Sequence, residues 1–345
     1  MHSCKPILLF LAVLIILTIS CDVINFLTID SSVILFAANK EEEIKEEIIL
    51  SKLSCATQWL IEQQRPDGSW PIVTQDKRSS VVATGLFGLG TFGDLDKDWG
   101  DNLSLPTPDI KKALSFLLAK QHNEGYWEAT SSFPWNKTES TTAALYGLIS
   151  TGYEGEALEK GINWLIKSQK ANGSWSDDCW DTSWALHLLF NYGYQTSDPI
   201  IKSACKWLVN DQRDDGSWKT NLPNLKQFEP LWTTPPVIFV LAQTGQHQET
   251  IIKGIKYLEN QQNKNGSFGR KDASKTGLAL LAFSSLSKYP DLDLIEEYGT
   301  SAERAVQWFL SNQRKNGTWP GGFHPFDIID TAFSIWGLQK FIKTF

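Results

Sequence analysis

A short phrase that recurs six times along the chain constrains its fold more than any other feature. Each copy has a glutamine, a glycine four residues later and an aromatic residue two residues after the glycine. The copies begin 57, 48, 43, 50 and 51 residues apart and span Gln64–Trp70, Gln121–Trp127, Gln169–Trp175, Gln212–Trp218, Gln262–Phe268 and Gln313–Trp319. Such a period, sustained along most of a chain of 345 residues, predicts a repeat architecture.

Each copy lies between two kinds of helical segment. The segment before it is amphipathic, because apolar residues recur at helical spacing with charged residues between them. The segment after it carries almost no charge and is rich in Gly and Ala, in 79–90, 140–150, 181–192, 235–244, 276–286 and 330–341. Since a helix that is apolar all round is a buried one, each repeat predicts an outer amphipathic helix and an inner apolar helix.

Six such pairs predict an all-α fold, an α/α toroid with six inner and six outer helices around a central cavity. An open solenoid needs polar repeats at its ends, and neither end of this array has that character. We therefore expect one closed domain over residues 39–345.

The phrase itself has a structural explanation. Its glycine can adopt the left-handed conformation that ends the outer helix without steric cost. The glutamine at the helix end can bond to free backbone groups of a neighbouring turn, and the aromatic residue can stack on its amide and cover the junction with the next repeat. We interpret the phrase as the device that joins repeats.

The N-terminal segment 1–38 is interpreted as a signal peptide or a membrane anchor. It contains two uncharged apolar runs, 6–19 and 23–36, and the small residues Ala37 and Ala38 follow. Export, to the outside of the cell or onto a membrane, is therefore expected. Five Asn-x-Ser/Thr sequons, of which Asn136 begins one, are weak evidence, because three belong to the repeated turn.

The composition excludes several classes of function. A net charge of −7 without a basic run argues against nucleic-acid binding. No Cys-x-x-Cys pair suggests structural zinc, and neither a metal nor a cofactor is predicted. The chain has fifteen Trp and one Met, which is more Trp than packing requires. Some of these tryptophans are therefore expected to have a positional role.

The repeated Gln-x-x-x-Gly-x-Trp resembles the QW motif of squalene and oxidosqualene cyclases and other class II terpene cyclases. The resemblance covers essentially all of 45–345. It implies acid-initiated cyclisation or isomerisation of an apolar isoprenoid or other lipid, by a protonated carboxyl in a dry cavity of aromatic faces. It also implies a second toroid domain or partner chain, since such cyclases usually pair two toroids.

The acid of class II cyclases lies in an Asp-x-Asp-Asp motif, which this sequence lacks. Two inner segments begin with related patterns, 178–183 and 327–332, and a relaxed Asp-x-Asp-Thr-Thr alignment makes Asp181 the acid and Asp330 the second candidate. Glu139 places a carboxyl at roughly the same point of a third. The alternative is that these aspartates only cap their helices.

Four aromatic residues near these starts are candidates for substrate binding: Trp180, Trp184, Phe326 and Trp336. Their aromatic faces could stabilise carbocations, and plain core packing is the alternative.

Two other functions stay open. The toroid also resembles protein prenyltransferase β subunits, whose zinc site has an Asp and a Cys two residues later together with a distant His. Asp177 and Cys179 offer the first pair, with His187 or His324 as the third ligand. A secreted toroid that binds a lipid or a protein partner without chemistry is the non-enzymatic alternative.

Overall fold

The structure is a computed structural model that describes residues 31–93, 108–131, 133, 135–221, 229–289, 294–321 and 326–344, with side chains from residue 45 onward. It divides into two compact units, residues 1–51 and 52–345. Most of the predicted signal peptide or anchor lies outside the described residues, and its boundary at residue 38 stays a prediction. Among the described residues, no helix combines the length and the hydropathy that a membrane crossing needs.

Twelve helices lie in the described residues and alternate between the two predicted kinds. The outer helices are α1 (Ser31–Glu62), α3 (Ile110–Ala119), α5 (Glu156–Lys167), α7 (Pro199–Asn210), α9 (Gln248–Gln261) and α11 (Leu294–Asn312). The inner helices are α2 (Ala83–Gly90, a π-helical segment), α4 (Lys137–Ser150), α6 (Cys179–Tyr192), α8 (Pro230–Ala242), α10 (Ala273–Ser284) and α12 (Asp327–Ile342).

The inner helices form a closed ring within residues 52–345. Each contacts the next in the order α2, α4, α6, α8, α10, α12, and α12 contacts α2 again. Nearly every residue of α4 and α12 is buried, whereas α3 buries only Ala113 and Leu117. The predicted all-α toroid is confirmed.

Five inner helices begin earlier than the apolar pattern indicates. The largest difference is in α8, where the prediction begins at Pro235 but the helix begins at Pro230 and contains Pro235 and Pro236. Proline fits the first turn of a helix best, which made Pro235 look like a start. The helix continues through both prolines because it is buried against neighbouring inner helices on two sides.

The turn glycines meet two requirements at once. All six have φ between +85° and +100°. Each also packs against the backbone of the following outer helix, where an added Cβ would come closer than 3.0 Å to a backbone atom. A side chain at any of these positions would therefore be strained and would separate two repeats.

The glutamines bond to backbone groups, but in their own turn and at the next outer helix, and not in the neighbouring turn that the sequence predicts. Gln121 Nε2, for example, donates to the Gly125 carbonyl at 2.9 Å and to the Ala157 carbonyl at 2.7 Å. Gln313 closes the ring, because its Nε2 donates to the Lys52 carbonyl at 2.8 Å. Repeat six is thereby joined to repeat one.

The aromatic residue of each turn ties the outer helix to the inner one. Trp175 is fully buried, and its Nε1 donates to the Leu165 carbonyl at 2.8 Å. Its backbone N–H donates to Thr182 Oγ1 on α6 at 2.9 Å. The same threonine bond recurs in α2, α4, α8 and α10. The residue just before this threonine therefore occupies an equivalent place at the start of these five inner helices, and in α6 that residue is Asp181.

Candidate active site

A cavity that is partly open to solvent lies between α2, α4 and α6, near the starts of the last two. Its wall is aromatic and aliphatic except for a few polar groups. The lining residues are Val82, Leu86, Phe87, Trp135, Glu139, Thr142, Ala143, Tyr146, Trp180, Asp181 and Trp184. Lys and Arg are absent from this set of described residues. The only charged or acidic groups on the wall are therefore two carboxyls.

Asp181 lies in the first turn of α6 and does not cap it. The cap is Asp178, whose Oδ1 accepts the backbone N–H groups of Trp180 and Asp181 at 2.9 and 3.3 Å. Asp178 Oδ2 accepts from Thr220 Oγ1 and from the Asn221 backbone, each at 2.7 Å. Because Asp178 satisfies the helix end, the Asp181 side chain is left for another role.

The Asp181 carboxyl holds a proton unusually well. Its side chain is 1% exposed. Burial, reinforced by the negative charge of Asp178, raises the pKa of Asp181 to about 7, and the nearby Ser176 and Asn136 side chains partly oppose this rise. Oδ2 accepts a hydrogen bond from Asn136 Nδ2 at 2.8 Å, whereas Oδ1 has no partner within bonding geometry among the described residues. Such a carboxyl is partly protonated at neutral pH.

Glu139 is the second carboxyl of the cavity wall. It belongs to a capping box at the start of α4, in which Glu139 Oε2 accepts the Asn136 backbone N–H and Asn136 Oδ1 accepts the Glu139 backbone N–H, each at 2.9 Å. Burial and then the charge of Asp181 raise the pKa of Glu139 well above its ordinary value.

Asp330 lies in a different polar cluster, at the start of α12. It is not among the described residues that line the cavity. Ser274 Oγ donates to Asp330 Oδ1, and Gly321 packs so closely on Oδ2 that a Cβ there would collide with it. Burial and the charge of Asp272 raise the pKa of Asp330 well above its ordinary value. Asp330 is therefore a buried carboxyl, but its free oxygen faces protein backbone.

A buried lysine also makes the charge environment of the Asp330 cluster different from that of the two cavity carboxyls. The Lys275 side chain is 6% exposed, and its Nζ lies 2.9 Å from Glu229 Oε2 and 3.7 Å from Asp272 Oδ2. An ammonium beside carboxylates favours their charged form, and Lys275 lowers the pKa of Asp272 against the effect of burial. The Asp181 carboxyl has no such cation among the groups that shift its pKa.

The structure places two of the four predicted aromatic residues in the cavity wall and the other two elsewhere. Trp180 and Trp184 line the cavity, with ring centroids 5.5 Å apart. Trp336 lies behind them against Trp184, at 5.8 Å between centroids. Phe326 immediately precedes α12, and its ring meets the Phe133 ring edge-on at 5.9 Å. Phe87, Trp135 and Tyr146, which the sequence did not single out, complete the aromatic wall among the described residues.

The residues of the zinc alternative are not brought together. The Asp177 carboxylate is exposed and bonds to Lys170 and Asn172, whereas Cys179 is fully buried. His324 lies outside the described residues. Across the described part of the chain, no group of three His, Cys, Asp or Glu side chains is placed to hold a metal ion.

Comparison of the sequence with known proteins points to triterpene cyclases. No family model matches the chain. It is 31% identical over 142 residues to the squalene–hopene cyclase of Zymomonas mobilis, which covers 37% of this chain and 20% of that enzyme. It is 27% identical over 158 residues to the lanosterol synthase of Pneumocystis carinii, which covers 43% of this chain and 20% of that enzyme. The chain thus spans about a fifth of the length of these curated relatives.

Solved structures share the fold over nearly the whole chain. The type II terpene cyclase MstE from Scytonema, in complex with geranylgeranyl dihydroxybenzoate, superposes with a TM-score of 0.66 at 14% identity. The match covers 88% of this chain and 100% of that one. The resemblance to the class II terpene cyclase superfamily is confirmed.

Sequence reasoning noted Glu139 but did not choose it, and it treated Asn136 only as the start of a sequon. The signal that could have found both is the spacing Asn136-x-x-Glu139 ahead of an apolar run, which is a capping-box pattern. That pattern predicts the local bonds of α4. It does not predict the bond from Asn136 to Asp181, which joins two helices.

Proposed function

We propose that this class II terpene cyclase-like protein uses Asp181 to start the cyclisation or isomerisation of an apolar isoprenoid. The observation that carries the proposal is the placement of one buried, proton-holding carboxyl in the wall of an aromatic cavity. Asp330 is the second candidate for the acid. Asp181 is preferred because its carboxyl lines the cavity, whereas the Asp330 carboxyl does not.

The proton transfer follows from this geometry. The O–H bond of the protonated Asp181 carboxyl breaks, and its proton passes to the substrate. At an alkene a C–H bond forms as the π bond breaks, and at an epoxide an O–H bond forms as a ring C–O bond breaks. Either step leaves a carboxylate and a carbocation. The faces of Trp180, Trp184 and Tyr146 would stabilise the positive charge by cation–π attraction, and the apolar wall would keep water away. Final loss of a proton from the cation restores the proton count.

The lining also supports a substrate class. A diphosphate needs Lys, Arg or a metal ion, and the described residues of the cavity wall contain neither Lys nor Arg. Isoprenoid hydrocarbons and their epoxides need only apolar and aromatic surface. We therefore propose a neutral polyprene as the substrate. The lining residues define its chemical class and not its chain length.

Single substitutions test the acid. We would incubate wild type, Asp181→Asn and Asp330→Asn with squalene, its epoxide and shorter neutral polyprenes, and analyse the products by gas chromatography with mass spectrometry. Asp181→Asn should lower product formation by roughly 10²–10⁴-fold, the usual contribution of a general acid. Asp214→Asn is the matched control, because Asp214 is exposed on the fourth repeat turn.

Each outcome discriminates between the proposals. Loss of product in Asp330→Asn alone would move the acid to Asp330, and unchanged products in both variants would refute both assignments. Wild type that binds the polyprenes without converting them would favour the non-catalytic toroid that binds a lipid. Export, membrane association and a second toroid or partner chain remain proposals, which fractionation and size-exclusion chromatography of the full chain would test.

A further inference from the structure

Asn136 connects the two carboxyls of the cavity wall. Its backbone N–H donates to Glu139 Oε2 at 2.9 Å, and its side-chain Nδ2 donates to Asp181 Oδ2 at 2.8 Å. Its remaining side-chain atom, Oδ1, is occupied by the Glu139 backbone N–H. One residue between α4 and α6 therefore fixes the position of both carboxyls relative to each other.

The two carboxyls share one environment with little to compensate their charge. From α6, Glu139 faces the negative groups Asp181 and Asp178. From α2, the described lining residues are all apolar. The nearest cation on α4, Lys137, places its Nζ 4.0 Å from the centroid of the Tyr126 ring and 3.3 Å from Glu128, away from this pair.

We propose that Glu139 is a second acid of this site and forms with Asp181 a single carboxyl pair, joined through Asn136, that carries the proton for the reaction. The inference rests on the proposed function of Asp181. It adds that the proton-holding unit comprises two side chains on two inner helices, and that Asn136 is its positioning residue.

Electrostatics favours one retained proton in the pair. Burial raises the pKa of both carboxyls, and the charge of Asp181 raises that of Glu139 further. Two interacting carboxyls lose their protons in two steps that belong to the pair as a whole. Because two neighbouring buried carboxylates repel each other, loss of the first proton makes the pair hold the second more tightly. After one proton passes to the substrate, the pair carries one negative charge and not two.

A titration that does not depend on activity tests the pair. We would follow the C=O stretch of protonated carboxyls by infrared spectroscopy between pH 5 and pH 10, and compare wild type with Glu139→Gln, Asp181→Asn and the control Glu128→Gln. Gln at position 139 keeps an amide oxygen that can accept the Asn136 N–H, so the capping box and the fold should persist. Glu128 is about half exposed.

The wild-type spectrum should contain one band that Glu139→Gln removes and that bleaches at a higher pH than the band of an ordinary glutamic acid. In Asp181→Asn the same band should bleach at lower pH, because the charge that opposes ionisation of Glu139 is gone. A Glu139 band that is already absent at pH 6 in wild type, or one that Asp181→Asn leaves in place, would overturn the proposal. The Glu128→Gln spectrum should match wild type.

The pH profile of turnover tests the catalytic part. Glu139→Gln should retain activity below pH 7 and then lose about tenfold per pH unit above it, since Asp181 alone then carries the proton. Wild type should decline only at higher pH. An equal loss of turnover at all pH values in Glu139→Gln would indicate a structural role for Glu139 and overturn the proposal. If neither wild type nor any variant makes product, the proposed role of Asp181 as the acid is refuted. The infrared titration still decides whether Glu139 and Asp181 form a pair.

Discussion

Closure of the ring can be tested at Gly317, the glycine of the sixth repeat turn. Its φ is +89°, and an added Cβ would come closer than 3.0 Å to the carbonyl group of Cys55 in the first outer helix. Gly152 is the matched control. It also has a positive φ, +69°, but no described atom lies within 4 Å of the place where its Cβ would be.

The effects of the two substitutions to Ala on the free energy of unfolding differ by one contribution, which is overpacking against the next repeat. Both place Ala in the left-handed region, which costs about 1–2 kcal/mol, and both gain about 0.4–1 kcal/mol from a less flexible unfolded chain. Gly317→Ala must in addition push two repeats apart, and overpacking of this kind costs about 1–3 kcal/mol. We expect a loss of about 1 kcal/mol for Gly152→Ala and about 2–4 kcal/mol for Gly317→Ala.

Urea unfolding followed by Trp fluorescence measures both losses. Gly216→Ala, whose Cβ would collide with the Lys253 carbonyl inside the ring, should match Gly317→Ala. Equal small losses for Gly317→Ala and Gly152→Ala would refute the contact between repeats six and one, and with it the closed ring.

Three further substitutions have defined outcomes. Since the folded pKa of Asp181 is raised to about 7, the folded state binds this proton more tightly than the unfolded state, and the stabilisation is lost as pH rises from about 4 to about 7. Asp181→Asn should abolish this loss and be more stable than wild type at pH 8 by up to about 4 kcal/mol in urea titrations, and lower stability at pH 8 would contradict the reasoning. Trp175→Phe removes one buried N–H but keeps an aromatic side chain at this position, as Phe268 does naturally in the fifth repeat. Urea unfolding should show that the variant loses about 1–3 kcal/mol of stability. No loss of stability would show that the indole hydrogen bond is energetically neutral. Lys275→Met leaves the buried Asp272 without its cation and should destabilise the fold by about 3 kcal/mol at pH 7. The loss should be smaller at lower pH, because protonation of Asp272 removes the unpaired charge; the same loss at both pH values would show that packing dominates.

Much of the fold could be predicted from the sequence because the repeated turn is local. A glycine with positive φ, a helix-ending glutamine and a buried aromatic residue act within a few residues of one another, so their spacing predicts the turn and its neighbours. The helix starts are less local. The apolar pattern predicts that α8 begins at Pro235, but the helix begins at Pro230, and burial against neighbouring helices keeps Pro235 and Pro236 inside it.

The candidate site was predicted only in part. The Asp-Thr helix starts predict Asp181 as the acid and Asp330 as the second candidate, and only the packing shows that the surroundings of the two carboxyls differ. Asp181 lines a cavity, while Asp330 has Gly321 against its free oxygen. Helix capping, the alternative for both, is performed in α6 by Asp178.

The sequence by itself determined the repeat number, the alternation of amphipathic and apolar helices, and the chemistry of the joining turn, because each depends on residues close together in the chain. The tertiary structure decided which carboxyls share an environment. Asn136 and Asp181 are 45 residues apart, and their bond exists because the ring places the starts of α4 and α6 side by side. A proton-holding carboxyl requires burial and nearby charge, and these are properties of the assembled ring that no local pattern of residues contains.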